Sequence, residues 1–227
     1  YGGWSITMKF ALSYSGGKDS VLAFFRAIGL GHEPVALVTT YNETRQNSHF
    51  HKIPFSLLQQ AADSLRVPLR LIKTQGDQYA KDFEACLSDL KDQGVELCVF
   101  GDIDLEEHFT WCNDRCVNVG IKSLFPLRYG DRRGLVEEFI EADFKSIITV
   151  VDTNRMNSAY LGQILSHTVI DRLADDGVDV CGENGEYHSF VFDGPIFTSP
   201  VQFSQGEITT DDHYAFLPLM NKGNKNG

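Results

Sequence analysis

Apolar positions along this chain alternate between short runs and longer helical stripes. Lys9–Tyr14 (KFALSY) is a brief apolar run, and Ser15-Gly16-Gly17-Lys18-Asp19-Ser20 follows at once. Val21, Leu22, Phe24, Phe25 and Ile28 then recur at helical spacing and stop at Gly29 and Gly31. This pattern predicts a strand, a tight glycine turn and a helix. Pro34–Thr40 (PVALVTT) reads as a second buried strand. Ile53, Leu57, Leu58, Ala61, Ala62 and Leu65 form an amphipathic stripe that ends before Pro68, and Leu69–Thr74 is a third strand. Tyr79, Phe83, Cys86, Leu87 and Leu90 mark a helix closed by Gly94. Val95–Phe100 is a fourth strand running into Gly101-Asp102-Ile103-Asp104, followed by a helix with Trp111, Cys112 and Cys116 that is capped by Gly120.

Strands alternating with helices predict a parallel sheet covered on both faces, with right-handed crossovers. Ligands bind such sheets at the carboxyl ends of the strands, where the strand order reverses. The glycine turn, the Thr39-Thr40-Tyr41-Asn42 end and the Gly101-Asp102 end are therefore candidate walls of one pocket. After Pro126 the texture changes. A helix (Leu135–Ala142), an apolar strand (Ser146–Val151) and a longer helix (Ala159–Ala174) are expected, then hairpins in the Gly- and aromatic-rich stretch from Gly182 to Phe203. The fold class is α/β: a Rossmann-like parallel-sheet domain over residues 8–125, and a smaller α+β domain over 126–220. The polar end, Asn221–Gly227, is expected to be disordered.

With 227 residues, 42% of them hydrophobic, the chain can bury a substantial core. No apolar run approaches the roughly 18 residues of a membrane span, so no membrane partner is expected. Residues 1–7 read as a leftover of expression ahead of Met8. A net charge of −11 disfavours binding of bulk nucleic acid. Five cysteines, four of them in apolar or helical patterns, are expected as free thiols in a reducing compartment, hence the cytoplasm. Cys112 and Cys116 read as one buried helix face rather than a metal site.

Chemistry concentrates in two places. A turn from a strand into a helix N-terminus presents free N–H groups and the positive end of a dipole. Gly16 and Gly17 permit positive φ and close approach to an anion. Ser15 and Ser20 offer hydroxyls and Lys18 a charge. Asp19 would repel a bare phosphate, which suggests a Mg²⁺ ion between them. Neither the Walker spacing nor the dinucleotide fingerprint fits. The bland alternative is a glycine turn with no ligand. The second stretch is Cys181-Gly182-Glu183-Asn184-Gly185-Glu186-Tyr187-His188-Ser189. If Glu186 starts a strand, Glu186 and His188 share one face and Tyr187 takes the other. A carboxylate and an imidazole together suit acid–base work or ammonium binding. Here the bland alternative is a turn of solvated glutamates.

SGGKDS resembles the PP-loop of the adenine nucleotide α-hydrolase superfamily, and GENGEYHSFVFDGPIF is similar to the GE-x-GEYHT element of the diphthine–ammonia ligase family. Gly101-Asp102-Ile103, Pro126-Leu127, Phe144-Lys145 and Leu161-Gly162 also match, so the resemblance runs from about Met8 to about Phe197. It implies a loop that grips the outer phosphates of ATP, adenylation of a carboxylate with release of pyrophosphate, and displacement of AMP by ammonia. It further implies ATP contacts from Ser13, Tyr14, Ser15, Gly16, Gly17, Lys18, Asp19, Ser20, Thr39, Thr40, Gly101, Asp102 and Ile103, with Mg²⁺ on Asp19. On this resemblance Lys18 and Asp19 are expected to act on the phosphates, Glu183 and Glu186 to hold ammonia, and Gly182–His188, with Asn184, Gly185 and Tyr187, to meet the substrate. The carboxylate implied is diphthine on elongation factor 2, or a small molecule, as in corrinoid salvage, where diphthamide is not made. A homodimer is compatible with the family. Ser189 stands where Thr is usual, and Arg128 where Trp is common, which puts the pocket's acceptance in doubt. A tRNA-modifying enzyme and a non-catalytic nucleotide-binding regulator are the rival readings.

Secondary candidates are His49 and His51, as pocket or lid residues or as plain surface histidines. Asp104 is expected as a helix N-cap, Trp111 in the core and Asp152 as a cap for the segment after its strand.

Overall fold

The computed structural model describes residues 7–42, 47–48, 52–74 and 78–222. His49, His51 and residues 223–227 lie outside the described residues. In chain order the elements are β1 (Lys9–Ser13), α1 (Lys18–Gly29), β2 (Glu33–Asn42), β3 (Asn47–Ser48), α2 (Phe55–Leu65), β4 (Leu69–Lys73), α3 (Tyr79–Asp92), β5 (Leu97–Val99), α4 (Glu106–Val119), β6 (Lys122–Leu124), α5 (Arg132–Glu141), β7 (Lys145–Asp152), α6 (His167–Asp175), β8 (Tyr187–Asp193), β9 (Phe203–Gln205), β10 (Thr209–Asp211), β11 (Tyr214–Phe216) and β12 (Leu219–Asn221). The chain divides into two compact units. One draws on residues 1–15, 19–46 and 67–129, the other on 16–18, 47–66 and 130–227.

In the first unit the strands run β4-β2-β1-β5-β6, with every neighbouring pair parallel. The Rossmann-like parallel sheet is thus of the class the alternating pattern predicts, with a further strand, β6, that the pattern did not mark. Strands after β1 add on one side as β2 and β4 and on the other as β5 and β6. The switch point therefore lies between the carboxyl ends of β1 and β5. One core forms from Ala11, Ala36 and Val38 of the sheet against Phe83, Leu87 and Leu90 of α3 and Cys112 and Cys116 of α4. Trp111 stacks on Tyr79, with ring centres 5.2 Å apart, and packs on this core as expected. Gly120 caps α4 with φ +72, a left-handed conformation that glycine adopts without steric cost. The N-cap of α4 is Leu105, not Asp104, and makes no side-chain cap bond. Glu106 and Glu107 in the first turn meet the positive helix end instead.

In the second unit β10-β11-β7-β8 form an antiparallel sheet and β12-β9 a two-stranded one. Two expectations are corrected here. The stretch Gly182–Phe203 does not fold into hairpins: β8 pairs with β7, and β9 pairs with β12, both distant in sequence. The expected helix Ala159–Ala174 is broken into a 3₁₀ turn at Ser158–Tyr160 and the later α6. Gly162 turns left-handed at φ +79, Ile164 bridges to Ile147 of β7, and the Ser166 side chain accepts the Val169 N–H to start α6. These local bonds compete successfully with helix continuation. Helix α5 starts earlier than its apolar stripe, because the Asp131 carboxylate caps the Gly134 N–H at 2.7 Å.

Candidate active site

The first unit supplies strand ends. Beyond β1 the Tyr14 N–H donates to Val38 O at 2.8 Å, and Thr39 Oγ1 donates to Tyr14 O at 2.6 Å, so Ser13 and Tyr14 are held against β2. The Tyr14 ring is buried, its hydroxyl has no hydrogen-bond partner among the described residues, and burial pushes its pKa up. Ser15 Oγ donates to Ser20 Oγ at 3.2 Å across the mouth of the loop, and Asp19 lies in the first turn of α1. Past β5, a Cβ on Gly101 would stand 2.8 Å from the Asp19 carbonyl carbon and the Ser20 nitrogen. Only glycine lets this strand end lie against the start of α1. Asp102 follows, its Oδ1 3.1 Å from His108 Nδ1 and its Oδ2 3.9 Å from Cys112 Sγ. Burial lifts the Asp102 pKa above its ordinary value, Asp19 adds to the rise, and His108 opposes it. Thr40 hydrogen-bonds Tyr79, and buried Ile103 accepts the Tyr129 N–H at 2.7 Å.

Gly16, Gly17 and Lys18 belong with the second unit. Gly16 has φ +80, accepts the Val191 N–H at 2.8 Å, and would place a Cβ 2.9 Å from Leu58 Cδ2. Lys18 is 5% exposed; its Nζ donates to Cys181 O and lies 5.3 Å from the Tyr187 ring centre. Two motifs separated by more than 160 residues of sequence thus meet at one ammonium group.

The second motif is a turn tied down by carboxylates. Asp179 accepts the N–H groups of Cys181 at 3.0 Å and Glu183 at 3.2 Å and pairs with Arg132. Gly182 is left-handed at φ +67 and packs on the Tyr187 ring; Gly185 is left-handed at φ +86. Glu186 is 7% exposed and accepts from the main-chain N–H of exposed Asn184 at 3.1 Å and from its side-chain amide at 3.3 Å. Arg155 lies 3.5 Å from Glu186 and 3.3 Å from Asp152, whose Oδ1 caps the Asn154 N–H at 2.9 Å as expected. β8 begins at Tyr187, and one residue earlier the Glu186 main-chain oxygen accepts the Asp152 N–H at 2.8 Å; the Glu186 carboxylate is tied to Asn184 and Arg155, and His188 is half-buried in β8.

Sequence reasoning missed Asp179, Arg132, Arg155 and His108. Asp179 had a local signature: an Asp two residues before the N–H it accepts is an Asx-turn. Arg132 had none, because its partner is distant in sequence; Arg155 has a near partner in Asp152, but its pairing with Glu186 spans a long stretch of chain. Arg128, singled out as a departure, lies with its guanidinium 4.2 Å from the Phe109 ring centre and donates to the Tyr129 hydroxyl at 2.9 Å. Among the described residues no helix is long and apolar enough to cross a membrane, and no group of three or more His, Cys, Asp or Glu could hold a metal on its own.

A parallel Rossmann-like sheet with a serine- and glycine-lined loop at its switch point defines the PP-loop class of proteins. Residues 8–123 match the profile of the diphthamide synthase N-terminal domain, and residues 131–223 that of the diphthamide synthase C-terminal domain. The chain belongs to the diphthamide synthase family, in agreement with the resemblance drawn from its motifs. It is similar to the diphthine–ammonia ligases of Bos taurus and Homo sapiens, each 24% identical over 93% of this chain and 89% of the relative. The Saccharomyces cerevisiae diphthine–ammonia ligase is 26% identical over 84% of this chain, a match covering 33% of that longer protein. A solved chain described as a "predicted subunit of tRNA methyltransferase" from Methanocaldococcus jannaschii overlays 83% of this chain with a TM-score of 0.44 and 17% identity, too slight a likeness to argue from.

Proposed function

We propose that this protein is an ATP-dependent carboxylate–ammonia ligase that forms an acyl-adenylate, releases pyrophosphate and then lets ammonia displace AMP. Residues 8–125 serve ATP and residues 126–220 the acyl substrate. The observation that carries this reading is Lys18: buried in the phosphate loop, it donates to the carbonyl of Cys181, the residue that opens the second motif. Phosphate oxygens are strong acceptors for an ammonium held away from water. The N-terminus of α1 and the Gly16–Gly17 backbone suit the β- and γ-phosphates, which leaves the α-phosphate open to attack. Asp19, whose charge helps raise the pKa of Asp102, offers with it the one or two carboxylates with which Mg²⁺ joins nucleotide phosphates. Bound there, Mg²⁺ would neutralise charge on the leaving pyrophosphate. Glu183 and the Glu186 turn are assigned to ammonia, and holding amine and acyl group together supplies much of the rate.

The relatives named diphthine–ammonia ligase favour diphthine as the carboxylate; on this reading it is carried by elongation factor 2, in the cytoplasm. The test is incubation of the protein with ATP, Mg²⁺, ammonium and diphthine-bearing elongation factor 2, with small carboxylates in parallel. AMP and pyrophosphate in step with amide are expected. ADP and orthophosphate as products would overturn the proposal.

A further inference from the structure

We infer that Asp179 is a positioning residue for Lys18, setting the place of its ammonium through the turn that carries the Cys181 carbonyl. This rests on the proposed role of Lys18 in gripping ATP. Lys18 is almost wholly buried, so its ammonium sits where nearby polar groups put it rather than where water allows. Two of those groups, the Cys181 carbonyl and the Tyr187 ring face, belong to one turn.

Asp179 clamps that turn at three successive peptides. Its Oδ1 accepts the Cys181 N–H at 3.0 Å, its main-chain oxygen accepts the Gly182 N–H at 3.0 Å, and its Oδ2 accepts the Glu183 N–H at 3.2 Å. The middle peptide is the one whose carbonyl meets Lys18, so it is fixed both directly and from either side. Arg132, the first residue of α5, pairs with the same carboxylate and holds it in place. The Tyr187 hydroxyl donates to Val180 O at 2.7 Å and closes the turn from its far end. Without the Asp179 carboxylate the flanking peptides lose their acceptors, the Cys181 carbonyl is left with the main-chain bond from the Gly182 N–H, and Lys18 is held less firmly in register on the phosphates.

The experiment is a double-mutant cycle read by calorimetric binding of α,β-methylene-ATP with Mg²⁺. Asp179→Ala is expected to weaken binding about 10-fold, the scale of one or two hydrogen bonds acting through a charged group. In a Lys18→Met background the same change is expected to cost nothing further, because the effect passes through Lys18. Asp179→Asn, whose amide oxygen still accepts a main-chain N–H, restores part of the affinity. A merely structural role would give the same loss in both backgrounds, and that result, or wild-type affinity in Asp179→Ala, overturns the inference alone. Binding indifferent to Lys18→Met overturns the reading of the loop as well. Should Asp179→Ala fail to fold, Arg132→Gln carries the same cycle, with an expected loss of about 3-fold that again vanishes without Lys18.

Discussion

The loop at residues 14–20 and the turn at 179–187 reach rigidity by opposite means. The loop is built by leaving side chains out. Gly16 sits at φ +80 with Leu58 close by, and Gly101 lets the end of β5 touch the backbone of Asp19 and Ser20. The turn is built by putting charged side chains in, with Asp179 and Glu186 accepting main-chain N–H groups while Arg132 and Arg155 hold them. A contact made by omission fails as soon as an atom is added. A contact made by hydrogen bonds weakens in steps as donors and acceptors are removed. The loop should therefore tolerate almost no change, and the turn should respond in a graded way.

The largest expected effect is on the loop's chemistry. Asp19→Ala should lower AMP formation about 100-fold or more while circular dichroism and thermal melting report an intact fold. Unchanged turnover would remove Asp19 from the site. Next comes the loop's construction. Gly101→Ala forces a Cβ to within 2.8 Å of fixed backbone, and a loss of about 1–3 kcal/mol in denaturant unfolding is expected. A neutral result would mean the two strand ends are not in tight contact.

The turn should give smaller and divisible effects. Glu186→Gln keeps the shape and removes the charge facing Arg155. Amide formation is expected to fall about 10-fold while adenylate-dependent pyrophosphate exchange persists. Equal loss of both would place Glu186 in ATP binding instead.

The smallest effect concerns Asp102. Its folded pKa is raised, chiefly by burial, so the stabilising contribution of its neutral form is present below the ordinary carboxylate range and is lost as pH rises through the folded value. Asp102→Asn should gain melting temperature at neutral pH relative to the wild type, by less than the Gly101→Ala loss, and the gain should shrink in acid. A gain independent of pH would remove ionisation of Asp102 as its cause.

Much of the first unit was legible in the sequence because its signals are local. Runs such as Phe10-Ala11-Leu12 and Val35–Val38 are continuous and apolar, as buried parallel strands must be, and Gly120 ends its helix where the periodicity stops. The second unit was read less well, since β9 finds β12 and β8 finds β7 across long stretches of chain that no local pattern records. The helix expected over 159–174 failed for a related reason. Its apolar spacing was real, but Gly162, Ser166 and the bridge from Ile164 to Ile147 offered the backbone better partners.

The sequence by itself determined the parallel sheet, the glycine loop entering α1 and the two motif segments, because strand and helix periods, turn residues and caps act over a few neighbours. Only the tertiary structure decided that Lys18 meets Cys181, that Gly101 must be glycine because α1 lies against it, and that Asp179 with Arg132 holds the second motif in shape. Those contacts join residues far apart in the chain. Their partners are chosen by where the folded elements bring them, not by any spacing along the sequence.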